Sequence, residues 1–566
     1  MLKSVHTRRL FGGGALLALV TVLGGLGPAR AGGTTPAPSA ASTVYHYRQL
    51  VFANTLKELA ELKPTSDAGP VVVKGVPILE TKEFASYLGH YYGSAITTQS
   101  VNQLAKDVAA YVKQHDRLVV NVLIPNQDIS QGQFRMAVVI GHYSELKFKG
   151  NRWFSDKLLE AKLGVKPGDE VRLSVLESAV NWANTNPFRH VEVLVNTINK
   201  EPGIADLDVA VQEHFPVRVT LSYADSGNDL IGNNQYSAGV QFGNLWGRDQ
   251  QLSLQYTTTD TPNLYRAGNF DYRIPLPWHH FLVFDGAYAL VQPTFYQVFN
   301  EVGKNAIADV HYIAPFVLGA WKFESSTGLD FKRINNDLLY SGQQVLTSAI
   351  DVCQMSESLS GVRPDRHGVW VIAGTVNLSP GGVDARNTDA AYLTAHNDTP
   401  GWPARYAYGT LVLQRRFDLP YGFQAFTKAI GQVSSADLPG SEELTIGGQA
   451  TVRGYNELLY TGDQGVVLSE ELQGPSFAQH LGFLGKKSTP LLFRPLVFFD
   501  YARVYDKHDT LGAVNLPPLA SAGVGLRANL ATNFTASFDF GWQILETEPN
   551  PQPNHCRGHV KVTFAY

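Results

Sequence analysis

The chain has 566 residues and a formal net charge of −4, so no polybasic surface points to nucleic acid. It carries 52 Gly, 29 Phe and 25 Tyr against 3 Met, and its mean hydropathy lies slightly below zero. This suits strands with one apolar and one polar face. Its two cysteines, Cys353 and Cys556, make no disulfide framework, and we read them as having neither a metal nor a redox role.

Residues 1–31 read as an export signal: Lys3, Arg8 and Arg9 precede an apolar run from Ala15 to Leu26, and Ala29-Arg30-Ala31 offers a cleavage site. No later segment supplies the ~20 apolar residues of a spanning helix. If the chain crosses a membrane it does so with strands, because only helices and closed barrels satisfy every backbone group in lipid. Residues 32–70 read as a small-residue and proline linker holding a helix from Tyr45 to Leu62, with Leu50, Val51, Leu56, Leu59 and Leu62 as a loose stripe.

From 71 to 213 the periodicity switches twice between strand and helix. The first round, 71–142, opens on the strand Val71–Gly75. Val101, Leu104, Val108 and Tyr111 then recur at helical spacing, and strands follow at Leu118–Ile124 and Phe134–Ile140. The second round, 143–213, opens at Leu146–Gly150. Its clearest helix starts at a predicted capping box, Ser174 with Glu177, and carries Leu176, Ala179, Val180 and Ala183 on one face. Strands at Val191–Val195 and Leu207–Val211 close it. Each round has the order β-α-α-β-β, a small α+β module.

Beyond residue 214 helical signals nearly vanish. Val217, Val219, Leu221 and Tyr223 alternate with polar residues, as do Phe534, Ala536, Phe538, Phe540 and Trp542, and finally Val560, Val562, Phe564 and Tyr566. Tight connections such as Asn244–Arg248, Pro275–Trp278 and Asp418–Gly422 contrast with long polar ones at 379–403, 434–465 and 546–558. Short turns at one end and long loops at the other are the asymmetry of an outer-membrane barrel, here of about 16 antiparallel strands over 214–566. The fold class is thus two α+β modules followed by an all-β transmembrane barrel. Trp246, Trp278 and Tyr421, near strand ends, fit an interface girdle.

Four pieces resemble one family. Ile124-Pro-Asn-Gln-Asp-Ile-Ser-Gln-Gly132, with Pro125, Gln127, Asp128 and Gly132, resembles the turn of POTRA (polypeptide-transport-associated) modules in the TpsB transporters of two-partner secretion. Asn186-Pro-Phe-Arg189 occupies the helix-to-strand junction of the second such module. Ile446–Tyr455, containing Val452, Arg453, Gly454 and Tyr455, resembles the signature of the family's sixth loop, here 434–465. Phe498-Phe-Asp-Tyr-Ala502 resembles its F-x-D-x-G strand motif, with Ala502 where Gly is usual.

The resemblance implies that the sixth loop folds back into the lumen and that Arg453 pairs with Asp500 on the wall. A guanidinium offers the planar fork such a carboxylate fits. Alternation in Leu496–Asp500 independently turns Asp500 away from Phe499 and so inward, since a carboxylate on lipid is costly. Tyr455 reads either as a lumen residue or as an ordinary loop aromatic. The resemblance also allows 45–62 to plug the lumen, while its weak amphipathicity fits a free helix equally well.

The implied function is secretion of a haemolysin- or adhesin-like exoprotein across the bacterial outer membrane, with the POTRA modules in the periplasm. Outer-membrane lipids, and the barrel assembly machinery during biogenesis, are the other implied partners. Two rivals are an assembly factor like BamA or TamA, whose kind carries more POTRA modules, and a passive porin, which would not need 71–213. There is no H-E-x-x-H, Cys-x-x-Cys, Gly-x-Ser-x-Gly or phosphate loop, so no catalytic residue, metal or cofactor is expected.

Overall fold

The computed structural model describes residues 44–62, 69–198, 200–227, 231–292, 294–295, 299–340, 343–395, 402–480, 490–508, 516–547 and 555–566. The export signal lies outside them. The chain divides into two compact units, 1–214 and 215–566. Among the described residues no helix is long and apolar enough to cross a membrane.

In the first unit, one module contains β1 (Gln49–Ala53), α1 (Leu56–Glu61), β2 (Val71–Lys74), α2 (Lys82–Tyr87), α3 (Thr98–Gln114), β3 (Val120–Leu123) and β4 (Gln133–Ile140). Its sheet runs β2-β1-β4-β3. This corrects the helix expected over Tyr45–Leu62. Gln49–Ala53 is a central strand parallel to both β2 and β4, and only Leu56–Glu61 is helical. Leu50, Val51, Phe52 and Ala53 are all buried, because a strand covered on both faces is apolar without alternation. The segment is part of the first module, not a plug or a linker helix.

The second module contains β5 (His142–Lys149), α4 (Asp156–Leu163), α5 (Leu173–Ala183), β6 (Arg189–Asn196) and β7 (Ile204–Glu213), with sheet order β5-β7-β6. α5 is where the sequence puts it, but the capping box is not formed. Arg172 is the N-cap residue without a side-chain cap. Asp116, just past α3, supplies the acceptors instead. Its carboxylate takes the Ser174 N–H at 2.7 Å, the Ser174 hydroxyl at 2.5 Å and Arg172 Nε at 3.1 Å. Burial raises the Asp116 pKa, but these bonds outweigh it and hold the carboxyl below its usual range. Backbone bonds Leu118 N–H to Val171 O and Val171 N–H to Gly141 O join the two modules.

The second unit is a closed antiparallel barrel. Sixteen strands close it, strand 1 (Val217–Ala224) pairing with strand 16 (Cys556–Ala565), and two short pieces at 294–295 and 477–479 supplement the wall. Strands 7 (Trp321–Tyr340), 8 (Gln343–Asp365) and 10 (Arg405–Asp418) form one side of the ring. Strands 12 (Gln464–Gln473), 13 (Leu491–Tyr505), 14 (Leu519–Leu530) and 15 (Phe534–Gln543) form the other. The sixth long connection joins strand 11 (Gln424–Ser434) to strand 12, and its limbs pair at 444–446 and 460–462.

Candidate functional site: the sixth loop against the barrel wall

The tip of the sixth loop sits inside the barrel. Arg453, 4 % exposed, grips Asp500 on strand 13 with both faces of its fork: Nε to Oδ2 at 2.7 Å and Nη2 to Oδ1 at 2.8 Å. Its own backbone N–H adds a bond to Oδ2 at 3.1 Å. Ser469, opposite Asp500 in the strand register, donates to Oδ1 at 2.6 Å. Asp500 is therefore fully enclosed and charge-assisted on both oxygens.

The other side of the guanidinium has further partners. Nη1 donates to Glu471 Oε1 at 2.6 Å and lies 3.5 Å from Asp539 Oδ1, while Cζ stands 3.6 Å over the Phe498 ring. Arg527 bonds Asp539 at 2.7 Å and Glu471 at 3.3 Å. Two guanidinium groups thus serve three carboxylates, and Lys428 Nζ reaches the Ala450 carbonyl at 3.2 Å close by. Removing one member would strand a buried charge, which costs several kcal/mol in an enclosed site.

The neighbours of Arg453 fix the tip. Gly454 has φ +92°, which glycine alone adopts readily, and its N–H donates to His559 Nε2 on strand 16 at 3.1 Å. Val452 and Tyr455 are fully buried among Ile446, Val467, Val504 and Leu519. The Tyr455 hydroxyl lies 2.6 Å from Leu545 O and 2.8 Å from Ala520 O, and accepts the Ala520 N–H at 3.2 Å. Tyr455 thus packs and hydrogen-bonds against the barrel wall. Ala502 belongs to the same apolar cluster.

Glu471, Asp539, Ser469, Gly541 and His559 were not read from the sequence as parts of this site. Asp539 and His559 lie on the polar faces of evident amphipathic strands, and that was their only signal. Their convergence is a matter of register, since Asp539 stands opposite His559.

The POTRA turn is built differently. Gln127 uses its amide as a backbone would: Oε1 accepts Arg135 N–H at 2.7 Å and Nε2 donates to Arg135 O at 2.9 Å. Asp128 accepts the Ser130 N–H and hydroxyl at 2.9 and 3.0 Å, which holds its carboxyl below the usual range. The turn that begins at Pro125 ends at Gly132. There φ is +72°, and a β-carbon would fall 2.6 Å from His46 O. The Gly132 carbonyl accepts Arg48 N–H at 2.7 Å and so seats β1. At the second junction Asn186 and Arg189 are buried, and Arg189 Nε donates to Ala183 O at 2.8 Å.

Cys353 and Cys556 are free thiols. Trp246, Trp278 and Tyr421 are exposed beside short turns. Among the described residues one group has the donor types of a metal site, Asp309, His311 and Asp330, but His311 Nε2 is already 3.1 Å from Asp330 Oδ1 as an ion-pair partner.

A sixteen-stranded barrel with an inward loop, preceded by α+β modules, defines a POTRA-bearing β-barrel protein. A model for the ShlB-type POTRA domain matches residues 69–141, and one described as haemolysin secretion/activation protein ShlB/FhaC/HecB matches 203–528. The chain belongs to this ShlB/FhaC/HecB family, a barrel in the outer membrane with POTRA modules in the periplasm.

Its relatives include the hemolysin transporter protein ShlB of Serratia marcescens, 23 % identical over 509 residues (87 % of this chain, 85 % of that one). The heme/hemopexin transporter protein HuxB of Haemophilus influenzae is 21 % identical over 466 residues (80 % and 79 %). Among solved structures, CdiB from Escherichia coli shares the fold, with a TM-score of 0.70, 16 % identity, and 94 % and 93 % coverage. Family membership favours secretion over both an assembly factor and a passive porin.

Proposed function

We propose that this protein captures an unfolded exoprotein of the haemolysin or adhesin class at the edges of its POTRA sheets and conducts it in extended form through the barrel. The observation that carries this reading is the sixth-loop tip, seated in the lumen by Arg453 and Asp500. In this reading Arg453 is a positioning residue that keeps the lumen's inner wall in its transport-competent shape.

The sheet edges offer main-chain donors and acceptors for strand addition, which needs little sequence specificity. Outer strand β6, where Leu194 is exposed, is one such edge. The Gln127 turn and Arg189 act by holding the modules in shape. The reading includes no catalytic step. Folding of the exoprotein outside removes it from the equilibrium and drives transport. Lipids meet the outward aromatic residues, and the barrel assembly machinery inserts the barrel.

The test is to express a candidate exoprotein, a large exported repeat protein, with and without this chain. Release that requires the chain supports secretion. Equal release without it, or a general fall in other outer-membrane proteins when the chain is deleted, would overturn the reading in favour of a different role.

A further inference from the structure

We propose that Glu442 is a second anchor of the sixth loop, separate from the Arg453 site, and that it positions the loop's first limb inside the lumen. Glu442 is 4 % exposed although it lies in a loop. Its carboxylate accepts Lys332 Nζ at 2.8 and 3.0 Å, Tyr408 Oη at 2.7 Å, Gln354 Nε2 at 3.1 Å and Ser441 Oγ at 2.7 Å. Its backbone carbonyl accepts Gln432 Nε2 at 3.0 Å. A buried carboxylate is tolerable only when paired and bonded in this way.

Lys332, Gln354 and Tyr408 come from strands 7, 8 and 10. Arg453 is held by strands 12, 13 and 15. Gln432, which bonds the Glu442 carbonyl, comes from strand 11, so the partners of Glu442 run from strand 7 to strand 11. The loop is therefore tied to two different stretches of the wall, one at Glu442 and one at Arg453.

A second inward loop flanks this limb. Tyr392, on a short helix at Asp389–Ala395, is fully buried beside Leu438 and bonds Asp351 O at 2.9 Å. The two anchors differ in kind. Arg453 holds a planar bidentate pair, whereas Lys332 offers a point charge on a flexible stem that tolerates displacement. The Glu442 end is the one that yields when a chain passes.

This rests on the lumen being the secretion path, so the test separates the two. Full-length wild type, Glu442→Gln, Lys332→Gln and the swap Glu442→Lys/Lys332→Glu are each recorded in planar bilayers with no exoprotein present. Either single variant should raise the resting open probability roughly tenfold, the effect of losing one charge-assisted contact. The swap should return it towards wild type, which a merely structural residue would not do.

Unchanged gating in both single variants, or a swap that restores nothing, would overturn the anchor. If one single variant fails to give a folded barrel, the other decides. If every variant fails to fold, the contact serves folding alone and the proposal falls. Altered gating in a chain that secretes no exoprotein would sink the secretion reading and leave the anchor standing.

Discussion

Gly454 and Gly541 meet backbone against backbone. A β-carbon built on Gly454 would stand 2.8 Å from the Gly541 carbonyl, and one on Gly541 would stand 2.8 Å from Gly454 N. Neither obstacle is a flexible side chain. Gly541→Ala should therefore push the loop tip off the wall at a cost of about 1–3 kcal/mol. The barrel should still assemble, because strand 15 keeps its pairing. Secretion should fall while heat-modifiable mobility stays normal; full secretion by this variant would mean that the close approach is dispensable.

Arg453→Ala should abolish or greatly reduce secretion and leave most of the barrel in the membrane. It strands Asp500, at about 3 kcal/mol for a desolvated site. Asp500→Ala should look similar, and the double variant should be little worse than either single one, since coupled residues are not additive. Arg453→Lys keeps the charge without the fork and should rescue only partly. Secretion assays on the four variants check this, and simple addition of the two single defects would contradict it.

Removing Phe564–Tyr566 should prevent assembly rather than impair transport. Phe564 pairs with Leu221 and Ala565 with Thr220, and Tyr566 exchanges backbone bonds of 2.8 and 2.9 Å with Val219. An unpaired edge in lipid is strongly disfavoured. Fractionation should find the truncated chain degraded or periplasmic, and normal outer-membrane levels would count against this.

The second POTRA-like module should loosen in acid. Asp206 is buried and takes Lys147 Nζ and Lys200 Nζ, each at 2.8 Å, and these bonds lower its pKa. A depressed carboxyl contributes stability that is present above its unfolded value, about 3.9, and lost as pH falls through the folded one. Hydrogen exchange in β5 and β7, corrected for intrinsic rate, should therefore rise below about pH 4. In Asp206→Asn it should already be raised at pH 7 and change less on acidification.

The barrel was legible because lipid outside and water inside impose strict alternation, and Phe534–Trp542 shows it unbroken. The two modules were legible from helical spacing, as at Val101–Tyr111. Gln49–Ala53 was misread because its strand is covered on both faces, and its apolar run has no period to betray it. The cap of α5 was misplaced because the acceptor, Asp116, is 58 residues away from Ser174. In the loop site, Arg453 and Asp500 stood out through a motif. Glu471, Asp539 and Glu442 did not, since nothing local distinguishes a carboxylate that strand register will bring to an arginine or a lysine.

Asp116 reaches from the end of α3 in one module to the start of α5 in the next, and this makes an arm without an elbow. Two sheets on such an arm are presented at a fixed spacing and angle. A flexible polypeptide that docks on one finds the other already within reach, at a local concentration set by geometry rather than by diffusion. Each sheet then needs only a weak hold, and a weak hold is what lets a cargo let go.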